Sequence, residues 1–433
     1  MQQGGYQTLL VYADRERFAN LAFLTGYEPR FEEALLVLPV DGTGLLLVGN
    51  EGYGYARSVA ALAYFDLGLC PTFSLYGQPR DITSKGRTLE AWLRPFILPG
   101  AKVGVVGTKS FTSAETMEPE RRFDVPSLTI DTARDLTGFN NVFNASDLLI
   151  HPSNGFRTGG FTTTAADIAR FEFASEVSYS GVRSLLRGLR PGMSEWEASA
   201  LLGFAGTPPL AYHVALGFGE NHVNAGLGSP DPFNRLQVGD PVTFGFGVWG
   251  GNIARTGFGV SEQSELPEAS VRYVEDLCEP YLRCLKDWYE AHTLDATGGS
   301  VYQKVRWFVE DTRYAVGLNP GHLIHLDEWP ATPYAPDATE RLRSGMFIQC
   351  DIIPAPGAPL YGIHTEDGIA LADEALRKEL EEQFPRVAKR IKQRRETVCN
   401  HIGIQLPEEV LPLSSMQACV APFLLDAEAV LAI

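Results

Sequence analysis

The sequence predicts an α/β N-terminal domain over residues 1–155, followed by an α+β domain over residues 160–433 with a C-terminal helical extension. Three observations carry this. The first third alternates short apolar runs with segments of helical spacing. The stretch "HPSNGFRTGGFTTT", rich in Gly, Ser, Thr and Pro, then reads as a linker. Beyond it the order becomes helix, helix, hairpin, helices and finally strands.

Within the first domain, "TLLVYA" and "AKVGVVG" read as buried strands, and "EEALLVLPV" with "TGLLLVG" as a hairpin around Asp41-Gly42. Between them "RTLEAWLRPFI" places apolar residues at helical spacing. In the second domain a long helix is expected from Thr164, as cap, to Gly188. The Pro-Gly turn of "RPGMSEWEASALL" leads into a second helix capped by Ser194. "GDPVTFGFGVWGGNIARTGFGV" reads as two strands joined by a tight glycine turn, and a helical pair covers 264–316. "GHLIHLDEWP", "SGMFIQCDIIP" and "YGIHTEDGIALAD" are three further strand segments. The charged run "DEALRKELEEQFPRVAKRIKQRRETVCNHIG" reads as one solvated helix. No internal repeat is visible.

The 433 residues, 45% hydrophobic and 21% charged, describe an ordinary globular chain. A formal charge of −17 argues against nucleic acid or an anionic membrane as partner. Cys70, Cys278, Cys284, Cys350, Cys399 and Cys419 form no CxxC pair, so reduced core thiols are expected. No basic region precedes a long apolar run at the N-terminus and no apolar stretch approaches a membrane span, so a cytoplasmic location is the expectation.

Several motifs fail on context. "GFGVWGG" satisfies GxGxxG from Gly245 to Gly250, but a strand rather than a helix follows it, so no pyrophosphate would meet a helix N-terminus. "GVVGTKS" lacks the spacing of a phosphate loop, and no GxSxG elbow is present. His322 and His325 form HxxH without the glutamate of a zinc-protease helix.

Four segments in a fixed order carry more weight: "GDPVTFGFGVWGGNIART", "NPGHLIHLDEWP", "RSGMFIQCDIIP" and "IHTEDGIAL". With "RPGMSEWEASALL" and the N-terminal "DRERFANLAFLTGYEPRFEEALLVLP", they resemble the creatinase/aminopeptidase P/methionine aminopeptidase family. The resemblance covers nearly the whole chain. It implies a creatinase/prolidase-type N-terminal domain and a catalytic domain of the pita-bread fold. In the family's peptidases five side chains hold two divalent metals; the matching positions here are Gly245, Asn252, His322, Asp351 and Glu366. The two hairpin positions are therefore not acids, and Asp351 is one methylene shorter than the glutamate expected there. The family's catalytic histidine positions fall on Gly228 and Trp329. Creatinase, which needs no metal, has its histidine where Gly228 stands and a glutamate where Asn252 stands.

The resemblance thus implies a hydrolase of a C–N bond in a small-molecule or short-peptide substrate, using no metal or one divalent ion. His322, Asp351 and Glu366 are the candidate metal ligands. His322, His325, Glu366 and Asp351 are the candidate catalytic groups, and Asn252, Arg255, His213 and His364 the candidate substrate contacts. Two other readings accompany it: an inactive pseudo-peptidase that binds a peptide or small amine, and an Xaa-Pro aminopeptidase or dipeptidase. A homodimer is expected from the resemblance, and Cys350 is read as a core thiol.

Overall fold

The computed structural model describes all residues except 60–61, 79–86, 225 and 427. They form two compact units, Met1–Arg157 and Thr158–Ile433. Among the described residues no helix is long and apolar enough to cross a membrane.

The first unit is built on a mixed six-stranded sheet. In chain order its elements are β1 (Thr8–Ala13), α1 (Ala19–Thr25), β2 (Ala34–Pro39), β3 (Gly44–Val48), α2 (Gly52–Val59), β4 (Phe65–Leu69), α3 (Leu89–Leu93), β5 (Val103–Val106), α4 (Ser127–Thr137), β6 (Val142–Asn144) and α5 (Asp147–Ile150). The strand order is β4-β3-β2-β1-β5-β6, with β1–β2 and β2–β3 antiparallel and the other pairs parallel. Side chains alternate across a strand. Leu10, Tyr12, Leu35 and Val37 accordingly pack with Leu89, Leu93 and Ile130, whereas Leu9, Val11 and Leu36 pack with Leu21, Ala56 and Leu149. Both faces are covered, which is why these strands read as continuous apolar runs.

The second unit opens with α6 (Ala165–Gly188) and α7 (Glu195–Ala200), both started by capping boxes, Thr164 with Asp167 and Ser194 with Glu197. After β7 (Ala215–Phe218) and α8 (Gly219–Asn224) come the hairpin strands β8 (Pro241–Val248) and β9 (Gly251–Phe258). Next are α9 (Glu279–Glu290), α10 (Gly298–Val309), β10 (His322–Leu323), β11 (Phe347–Cys350) and β12 (His364–Leu371). The chain closes with α11 (Glu374–Gln383), α12 (Pro385–Thr397) and β13 (Val410–Pro412). The strand order is β10-β11-β12-β9-β8-β7, all antiparallel, with β13 on the far end of β12. A Cβ on Gly251 would fall 2.4 Å from Ser175 N, so glycine there is what lets α6 lie against the hairpin.

Two sequence expectations change. "GHLIHLDEWP" supplies only a two-residue strand: His325 N bonds Asp327 O and Leu323 N bonds Ala331 O, so the segment turns back on itself. The charged run is two helices, broken at Phe384-Pro385 because proline cannot continue an α-helix. It is not solely a solvated surface either, since Arg390 and Arg394 clamp the buried carboxylate of Glu172 on α6.

Although the sequence shows no repeat, the elements repeat: two helices precede three antiparallel strands in each half. The caps repeat too. Ser194 bridges to Arg235 before α7, and Thr297 bridges to Arg341 before α10. Packing geometry rather than residue identity preserves this pattern.

The back of the sheet is tied by a buried ion pair. Arg255 Nη2 lies 2.9 Å from Asp367 Oδ2, and the guanidinium also donates to the carbonyls of Ala254, Glu366 and Met416. Burial pushes the Asp367 carboxyl up to about 6 even with Arg255 beside it. Arg255→Leu should therefore destabilise the protein by about 3–5 kcal/mol in denaturant unfolding, by stranding the buried acid, and adding Asp367→Leu should recover part of that loss.

His292 on the loop after α9 is fully buried between Trp288 O and Tyr334 Oη, at 2.7 and 2.6 Å. Burial lowers its pKa to about 4, against the bond from the ring to Trp288 O. The unfolded histidine titrates near ~6.5, so it binds protons that the native one does not. Stability is fully present above that value and falls as pH drops toward 4. By linkage the fall at pH 4.5 is about 2–3 kcal/mol. His292→Gln should remove that share of the difference between urea unfolding free energies at pH 7.5 and 4.5.

Candidate functional site

The register of the sheet decides which polar side chains share a face. Gly245 pairs with Ala254, Ala254 with Glu366, Gln349 with Gly368, and His322 with Gln349. Paired residues project to the same side. With two-residue alternation this gathers Gly245, Asn252, His322, Gln349, His364 and Glu366 on one face, with Asp351 at the end of β11. Arg255, Thr365 and Asp367 face the opposite way.

Three of these groups converge. One ligand atom each from His322, Asp351 and Glu366 lies within 4.8 Å of the others, and all three residues are buried. His322 Nε2 is 3.6 Å from both Asp351 Oδ2 and Glu366 Oε1, and 3.1 Å from Glu328 Oε1. His322 Nδ1 donates to Leu323 O at 2.9 Å, which leaves Nε2 as the ring nitrogen facing the acids. Nε2 itself has no hydrogen bond of good geometry, an orphaned atom deep in the fold. Burial alone would lower the pKa of His322, but the carboxylates of Glu328, Glu366 and Asp351 outweigh it and hold the value well above the usual one.

Around this core the other groups have defined tasks. His364 Nε2 bonds Asp351 Oδ1 at 2.9 Å. Glu366 Oε1 accepts from Asn252 Nδ2 at 2.9 Å and Gln349 Nε2 at 3.0 Å. Tyr212 Oη donates to Asn252 Oδ1 at 3.1 Å. Burial raises the Tyr212 pKa well above its usual value, with Glu366 and Glu328 adding to it, so the phenol stays protonated. Trp329, 37% exposed, stacks on His322 with ring centroids 4.1 Å apart and planes 10° from parallel.

The donor set fits one divalent ion. A nitrogen and two carboxylate oxygens spaced this way, with the histidine tautomer fixed from behind, suit a single borderline cation. The hairpin half does not fit a second. Gly245 has no side chain, Asn252 is neutral, and a Cβ on Gly245 would fall 2.2 Å from Tyr212 Oη.

Of the residues singled out from sequence, His322, Asp351, Glu366, His364 and Asn252 come together. Arg255 does not join them: it lies behind the sheet with both terminal nitrogens spent on Asp367 and backbone carbonyls, so the expected hold on a substrate carboxylate gives way to a structural task. His325 packs edge-on to Phe171 and Phe347, with centroids 5.1 and 6.4 Å away. His213 is exposed beside Tyr212 and bonds Leu227 O at 2.7 Å. Cys350 is fully buried, and burial pushes its thiol pKa far up, as a core thiol requires. Sequence reading passed over Gln349, although it lies two residues before Asp351 and so shares its parity along β11 and the residue after it. It also passed over Tyr212, for which no local signal exists.

Comparison with known proteins agrees with this architecture. Residues 169–379 match the metallopeptidase family M24. No curated protein sequence matches the chain. Among solved structures, the prolidase from Pyrococcus horikoshii OT3 superimposes with a TM-score of 0.63 at 15% identity, covering 86% of this chain and 93% of that one. The Xaa-Pro dipeptidase from Bacillus anthracis gives 0.60 at 16%, covering 86% and 92%. The dipeptidase PepE from Mycobacterium ulcerans gives 0.61 at 18%, covering 86% and 90%. Residues 169–379 thus carry a metallopeptidase M24 domain, and the chain shares its fold, an N-terminal unit followed by a pita-bread unit, with the prolidases and Xaa-Pro dipeptidases, consistent with the creatinase/aminopeptidase P resemblance.

Proposed function

We propose that the C-terminal unit hydrolyses a C–N bond of a small or peptide-like substrate at the His322–Asp351–Glu366 cluster, with at most one divalent ion. The observation that carries this is the convergence of these three buried groups, with His322 Nε2 left without a good hydrogen bond among them. Relic side chains freed from selection would have no reason to keep three charges together at such a desolvation cost.

One ion, held by His322 Nε2, Asp351 and Glu366, would supply Lewis-acid polarisation and an activated water. The protein's own groups account for the rest. Glu366 Oε1 is pinned by two amides and lies 3.6 Å from His322 Nε2. His364 fixes Asp351. Glu328 beside His322 Nε2 can take a proton from the attacking water and pass it to the leaving amine, a task worth about 10²–10⁴-fold in rate. Asn252 acts through Glu366, and exposed His213, whose ring lies 6.0 Å from that of Tyr212, would be a substrate contact.

A second reading, a non-catalytic binder of a peptide or small amine, draws support from Trp329, whose indole covers one face of His322. The third, an Xaa-Pro peptidase, is favoured by the prolidase and dipeptidase neighbours. It lacks the carboxylates at positions 245 and 252 that the resemblance calls for.

The test is a screen of amides, amidino compounds and Xaa-Pro dipeptides that reads amine release. Turnover is expected, and Glu366→Gln or His322→Ala should lower kcat by at least ~10²-fold with the fold intact by circular dichroism. Calorimetric binding with no turnover across the screen would replace the hydrolase by the binder. Elemental analysis after manganese, zinc or cobalt loading and desalting should find one ion or none, and His322→Ala should abolish any that is found.

A further inference from the structure

The hairpin half of the cluster lacks charge, yet it is not empty. Tyr212 Oη stands where a side chain at position 245 would begin, 2.2 Å from the ideal Cβ. The next atoms from that Cβ are Tyr212 Cζ at 3.4 Å and Ala254 Cβ at 3.7 Å, ordinary contact distances. One oxygen atom therefore does the blocking. That oxygen donates to Asn252 Oδ1, which turns Asn252 Nδ2 toward Glu366 Oε1. Gln349 Nε2 bonds the same Glu366 oxygen and also Asn252 O. The donors form one continuous array that ends on a buried carboxylate.

We infer that Tyr212 and Asn252, with Gln349 beside them, are a built-in uncharged substitute for a second cation and limit the cluster to a single divalent ion. A buried carboxylate needs either a cation or hydrogen-bond donors to remain ionised. Glu366 Oε1 has two neutral amide donors from Asn252 and Gln349, with His322 Nε2 3.6 Å from the same oxygen, so its charge is met on the hairpin strands by amides and not by a second cation. Tyr212 is in this sense a positioning residue. It acts on Glu366 through Asn252, and it excludes by its hydroxyl whatever carboxylate position 245 could otherwise carry. The inference rests on the proposed single-ion cluster but not on the proposed reaction.

The experiment counts manganese ions on the full chain, by elemental analysis and by electron paramagnetic resonance, where two neighbouring ions couple and one does not. Wild type should hold no more than one ion. Gly245→Asp/Asn252→Asp should not gain a second, because the phenol oxygen still occupies the place of the new side chain. Adding Tyr212→Phe, which removes that single atom, should raise the count to two and produce the coupled spectrum. Tyr212→Ala in the same background gives the same readout with the ring cleared, should the phenylalanine variant fail to fold. Two ions on wild type, a second ion on the double variant with Tyr212 intact, or no second ion on either folded triple variant would each overturn the inference. Because ions are counted rather than product, a protein that hydrolyses nothing can still pass the test. A protein that hydrolyses its substrate can still fail it.

Discussion

The contact on which the site depends is the Arg255–Asp367 ion pair behind it. Asp367 follows Glu366 on β12, and Arg255 sits on β9 three residues after Asn252, so the pair clamps from the rear the two strands whose front faces carry Glu366 and Asn252. Its reach extends further. Arg255 donates to Met416 O and Asp367 accepts from Ala418 N, which fastens the chain near the C-terminus to the same strands. A charge pair shielded this completely is costly to form and more costly to split. Its return lies in geometry: the spacing between Asn252 Nδ2 and Glu366 Oε1 is set by a contact on the opposite face of the sheet.

Most of the architecture was legible because it is written in local chemistry. Thr164 with Asp167 and Ser194 with Glu197 announce helix starts through backbone capping, and the alternation of Val242, Phe244, Phe246 and Val248 announces strand β8. Proline in the charged run signals a break that a reading by charge alone overlooks. His322, Asp351 and Glu366 were legible by resemblance. The misplacement of Arg255 was avoidable, since an odd position on a strand whose even positions carry Asn252 and Ala254 must face away from them.

Tyr212 marks where legibility ends. It lies in the irregular segment before β7, and its hydroxyl reaches Asn252 forty positions downstream. No periodicity places such a residue, because its location follows from loop geometry and not from repeat spacing. Gln349 is intermediate: strand parity could have put it beside Glu366, but a glutamine within an apolar run attracts notice only when its register is known.

The repeated halves of the second unit have separated their duties. Tyr212, Gly245 and Asn252 of the first half are neutral, while His322, Glu328, Asp351, His364 and Glu366 all come from the second. A sheet that concentrated acids from both halves at one point would rely on captured cations to offset their repulsion, coupling maturation to ion supply. With the first half contributing only amides and a phenol, the repulsion among acids is confined to the second half, and the register of the hairpin is set by neutral contacts and the ion pair behind it.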